Sequence, residues 1–81
     1  MFQITIDDVI TVRDITLVSG KCENRNDFTS KLIDDDGIEY SAHIPFIKYL
    51  VMPDLNYMTL ELKDIETPNA LKGRVLKSIL Q

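Results

Sequence analysis

The chain has 81 residues and a formal net charge of -4, with 44% apolar and 27% charged residues. That length fits one domain, spanning 1–81, and leaves no room for a catalytic domain beside a binding domain. The composition is that of a folding globular chain, the acidity argues against a free-standing nucleic-acid binder, and a single cysteine excludes an intrachain disulfide framework. In FQITI, Phe2, Ile4 and Ile6 alternate with Gln3 and Thr5, a period of two that predicts a strand with one buried face. Asp7 and Asp8 interrupt it, and Val9 to Val12 resumes an extended pattern. A second strand is expected from Ile15 to Glu23, where Gly20 in the interior marks a bulge or a close backbone approach. Glu23 to Asp27 reads as a polar turn.

A third strand is expected over Phe28 to Ile33, and a fourth in IEYSAHI, where Ile38, Tyr40, Ala42 and Ile44 share one face. Asp36-Gly37 between these two runs is the strongest hairpin signal in the chain. PFIKYLVMPD reads as an extended start followed by an irregular loop that Pro53 limits. The fifth strand is YMTLELKDI, with Met58, Leu60 and Leu62 on one face. ETPNALKG is a loop with one helical turn begun by Thr67 and Pro68. The last strand is expected over Arg74 to Leu80. Six short strands with turn signals between them point to an all-β barrel or sandwich, with closure removing exposed edges.

The N-terminus MFQITIDDVI lacks the pattern of a signal peptide, and the longest mostly apolar run, Ile44 to Met52, is interrupted by Lys48 and far too short for a membrane span. The expected setting is cytoplasmic, without a membrane partner. Metal and phosphate-cofactor readings fail on spacing, and a Cys22–His43 pair is left for the fold to decide. Asp34, Asp35 and Asp36 with Glu39 lack the alternate ligand positions of a calcium loop and read as a solvated hairpin tip. Asp7 and Asp8, adjacent on a strand, point to opposite faces. His43 falls on the polar face of its strand, and Cys22 reads as a packed strand cysteine. No glycine-rich phosphate loop is present. Tyr40, Tyr49 and Tyr57 are candidates for stacking on bases or for capping the core.

The runs FQITIDDVITV and ITLVSGKCE resemble the opening of the second domain of translational GTPases such as elongation factor Tu. Asp8-Val9 holds the place of that family's Asp-Val pair, and Ser19-Gly20 that of its threonine-glycine. LELKDIETPNALKGRVL resembles its penultimate strand, short loop and final strand, with Gly73, Val75 and Leu76 at the Gly-x-Val-Leu positions. The resemblance implies a small closed six-stranded antiparallel Greek-key barrel. In the large factors such a domain supports the GTPase domain and contacts ribosomal RNA.

The expected function is that of a non-catalytic interaction module, not an enzyme, which engages a protein partner or self-associates. Its candidate binding residues are Phe46, Ile47, Tyr49, Leu50, Val51 and Met52, many apolar groups for a loop. The alternative is a ribosome- or RNA-associated accessory domain with Lys72, Arg74 and Lys77 as contacts. No cofactor and no metal are expected.

Overall fold

The computed structural model describes residues 1–45 and 56–79. They form six antiparallel strands in one sheet that closes in a ring: β1 (Gln3–Val12), β2 (Ile15–Glu23), β3 (Lys31–Ile33), β4 (Glu39–His43), β5 (Tyr57–Leu62) and β6 (Val75–Ser78). Neighbours round the ring run β1, β2, β5, β4, β3, β6, and β6 returns to β1. Two 3-10 turns, Arg25–Asp27 and Pro68–Leu71, fill connections, the second starting at the Thr67-Pro68 signal. No helix among the described residues is long and apolar enough to cross a membrane.

The inward face follows the period of two. Ile4 and Ile6 of β1, Val18 and Cys22 of β2, Leu32 of β3, Ala42 of β4, Met58, Leu60 and Leu62 of β5 and Leu76 of β6 form one core with Phe2 and Leu71. Burial of these apolar side chains drives closure of a chain this small. Phe28 packs edge-on against Phe2, with ring centroids 5.3 Å apart. Ser78 is the polar member of the inner face of β6, and its hydroxyl accepts the Phe2 amide at 3.1 Å.

β1 is longer than the FQITI run because it continues through the aspartates as one strand. The register with β2 passes from Ile6–Gly20 to Asp8–Ser19, so Asp7 is an extra residue, a β-bulge. The bulge reverses which residues face the core. Ile4 and Ile6 point in before it, and Val9 packs against the core after it, while Ile10 and Val12 point out. Gly20 sits opposite the bulge. A Cβ there would lie 1.8 Å from the Thr5 carbonyl oxygen, so only glycine allows the two backbones to approach this closely. Tyr57, reaching across from β5, donates its hydroxyl hydrogen to Asp7 at 2.8 Å and holds the bulge in place.

The expected β3–β4 hairpin forms, with Lys31 opposite Ser41 and Ile33 opposite Glu39. β3 is shorter than the Phe28–Ile33 run, because Phe28 turns aside to pack on Phe2. The ends of the expected fourth strand also lie outside the core: Ile38 and Ile44 are about half exposed.

Candidate functional site

The outer face of the β1–β2 hairpin carries four apolar side chains in two cross-strand pairs. Ile10 stands opposite Leu17, and Val12 stands opposite Ile15, next to the Arg13-Asp14 turn. Ile10, Val12 and Ile15 are 49%, 52% and 43% exposed, and Leu17 is half-buried. Scattered exposed apolar residues are ordinary, but a contiguous ladder of them marks a surface that meets something. The ladder exists because of the Asp7 bulge: without the extra residue, Ile10 and Val12 would keep the inward parity of Ile4 and Ile6.

Polar pairs border it. On β5, Glu61 lies opposite Leu17, and on β4, His43 lies opposite Glu61, with Nε2 and Oε2 2.5 Å apart. One row across the outer sheet therefore reads Ile10, Leu17, Glu61, His43. Along the strands, the Ser19 and Thr59 hydroxyls hydrogen-bond at 2.9 Å. The outer surface thus changes from apolar at the turn end of β1 and β2 to polar on β5 and β4.

A second cluster sits at the β3–β4 turn. The reading of Asp34–Asp36 as a wholly solvated tip is corrected at Asp34, whose side chain is 1% exposed. Its carboxylate accepts hydrogen bonds from the Asp36 amide at 2.9 Å, the Ile38 amide at 3.0 Å and the Tyr40 hydroxyl at 2.7 Å. Burial alone would raise its pKa. The Tyr40 hydroxyl, the two amides and the nearby Arg74 charge outweigh burial and hold the carboxyl below the usual range. For Tyr40, burial and then the hydrogen bond to Asp34 push the phenol up to about 12. The Arg74 guanidinium lies 2.7 Å from Asp36 and 3.5 Å from Asp34. The Asp34 carboxylate is thus tied to both sides of the turn, and the cluster acts as a turn lock.

The other residues singled out from sequence separate in space. Arg74 faces two carboxylates, which neutralise it locally. Lys77 projects from the outer face of β6, opposite Gln3 and Ile33, and Lys72 is exposed in the turn before β6. Tyr40 and Tyr57 are half-buried, with their hydroxyls committed to Asp34 and Asp7. Asp7 and Asp8 diverge: Asp7 takes the Tyr57 hydroxyl, and Asp8 accepts the Val9 amide at 3.0 Å. Cys22 faces the core while His43 lies on the outer face, so they do not meet. Among the described residues, no three histidine, cysteine or acidic side chains are grouped to hold a metal ion. Phe46, Ile47, Tyr49, Leu50, Val51 and Met52 lie outside the described residues.

The apolar ladder is the feature that sequence reasoning missed. Its signal was the paired aspartate: one polar residue too many within an alternating run is the mark of a bulge, after which the faces exchange. Compared with protein-family models, with curated proteins and with solved structures, the chain matches none.

Proposed function

We propose that this protein is a non-catalytic interaction module that binds another protein surface, a partner or a second copy, through the outer face of its β1–β2 hairpin. The observation that carries the reading is the Ile10, Leu17, Val12, Ile15 ladder, three of whose members are close to half exposed. Apolar groups held on a rigid hairpin bind with little ordering cost. We read the fold as a Greek-key barrel of the kind that forms the second domain of translational GTPases. The neighbour order β6, β3, β4, β5 supports this: three strands consecutive in sequence lie side by side, and the next returns beside the first.

The test is affinity capture with immobilised protein, comparing the wild type with the Ile10→Lys/Val12→Lys double variant. Both positions face outward, so the variant keeps its fold, which circular dichroism checks. The expected result is a protein retained by the wild type and lost with the variant. Equal capture by both would refute the reading. Retention of RNA alone, reversed by salt, would favour the accessory-domain alternative instead.

A further inference from the structure

We infer that the partner of the hairpin is a second copy of this chain, joined by antiparallel pairing of β1 with β1 about a two-fold axis through Ile10. The inference rests on the interaction-module reading and names its partner. It starts from an unpaired stretch of backbone. β6 pairs with β1 only over Gln3–Thr5, and the contact ends at Ile6, whose amide donates to Arg74 O and whose carbonyl accepts from Gly73 N. From Asp7 onward, β1 has β2 on one side; on the other the Pro68–Leu71 turn packs near it but forms no backbone ladder with it, and no strand pairs there among the described residues.

The free groups can be assigned. The two-residue turn Arg13-Asp14 makes Val12–Ile15 a hydrogen-bonded pair, and alternation makes Ile10–Leu17 the next. Val9 and Thr11 therefore turn their N–H and C=O away from β2. The Val9 amide behaves accordingly, donating to the Asp8 carboxylate.

The stretch of β1 without a second ladder partner among the described residues runs from Asp7 to Arg13, and its midpoint is Ile10. Pairing centred there sets Val9 against Thr11 of the other copy, with the outward N–H and C=O of both residues facing each other. It sets Ile10 against Ile10 and Asp7 against Arg13, twice. An edge with acid at one end and base at the other is complementary to its own antiparallel copy. Other registers fail. Sliding by one step to a centre at Thr11 puts Asp8 against Asp14. Sliding to Val9 carries Arg13 against Thr5, where β6 already sits. The chosen register also joins the two ladders into one apolar strip across both copies. On pairing, Val9 exchanges its bond to Asp8 for one to the other Thr11 carbonyl, and Asp8 is released towards the incoming Arg13.

The experiment is sedimentation of the full chain over a concentration series up to about 1 mM, together with oxidative crosslinking of single-cysteine insertions on the outer face. Pairing predicts a monomer–dimer equilibrium, weakened at least tenfold by Arg13→Glu, with part of that loss recovered by adding Asp8→Lys to the variant, since Asp7 still faces position 13. Ile10→Cys should give a covalent dimer readily, because facing non-hydrogen-bonded residues have Cα atoms about 4.5 Å apart. Val12→Cys, four residues from its own copy across the axis, should not. A wild type that stays monomeric throughout the series overturns the inference, as does a dimer in which both cysteines crosslink alike. If the monomeric protein still captures a different protein through Ile10 and Val12, the interaction-module reading stands and only the self-pairing falls.

Discussion

Asp34 and Tyr40 stand on opposite sides of the β3–β4 turn and are joined by a 2.7 Å hydrogen bond, the phenol donating to a carboxylate that is 1% exposed. The same carboxylate takes two amides of the turn between them, so one ionised side chain holds the hairpin shut. A buried charge persists only when it is fully hydrogen-bonded.

Removal of that acceptor should therefore be costly. Asp34→Ala leaves the Tyr40 hydroxyl and two turn amides without their partner and should destabilise the fold by about 3 kcal/mol. Asp35→Ala, on the exposed side of the turn, should cost under about 0.5 kcal/mol. Urea unfolding of the two variants gives the comparison, and equal midpoints would remove the lock from the stability of the fold.

The lock also sets an acid limit. The Asp34 carboxyl titrates lower in the folded than in the unfolded chain, whose value is near 3.8. Its contribution is complete above that value and is lost as pH falls through the lower folded value. Acid unfolding followed by circular dichroism should be steeper in the wild type than in Asp34→Asn, which has no such proton to take up.

The alkaline side has the opposite sign. Tyr40 is raised from 10.0 to about 12, so the folded chain favours the neutral phenol. That contribution is complete below pH 10.0 and is lost as pH rises towards 12. Tyrosinate absorbance should show a late-ionising phase that Tyr40→Phe diminishes. Tyr57 is raised too, by its bond to Asp7 and then by burial, and Asp7→Asn should bring its ionisation to lower pH.

Gly20 should tolerate no side chain. A Cβ placed 1.8 Å from the Thr5 carbonyl oxygen meets backbone, which cannot swing aside. Gly20→Ala should cost about 3 kcal/mol or more, by forcing apart β1 and β2 at the bulge. Thermal unfolding measures it, and a variant as stable as the wild type would show that the strands separate cheaply there.

Arg13 should respond in the other direction. It holds φ at 56° in the two-residue β1–β2 turn, a place that glycine fills without strain. Arg13→Gly should stabilise the monomer by up to about 1 kcal/mol, the strain relieved less the extra freedom of the unfolded glycine. It should at the same time weaken pairing between copies, because the basic end of the β1 edge is gone. A raised melting temperature with a lowered dimer fraction separates the two roles of this residue.

Local chemistry was enough to read most of the fold. The alternation in ITLVSGKCE, IEYSAHI and YMTLEL sets strand positions and their inner faces, since one buried face dictates a period of two. Asp36-Gly37 announces its hairpin, Thr67-Pro68 its helical turn, and Gly20 its close contact, because each answers to backbone sterics within a few residues. The candidate surface was much less legible. Asp7 and Asp8 interrupt the alternation, so the facing of Ile10 and Val12 is not set by the sequence pattern, and only the register against β2 shows that Asp7 is supernumerary and that both face water. Asp34 looks like one of three equivalent solvated aspartates until Tyr40 and Arg74, six and forty residues away, close over it. Periodicity and turn chemistry are properties of neighbours in sequence, so the amino-acid order alone determined the strands and their turns. Register, the sense of each face beyond a bulge and the partners of a buried charge depend on which distant strands meet, and only the closed sheet decided them.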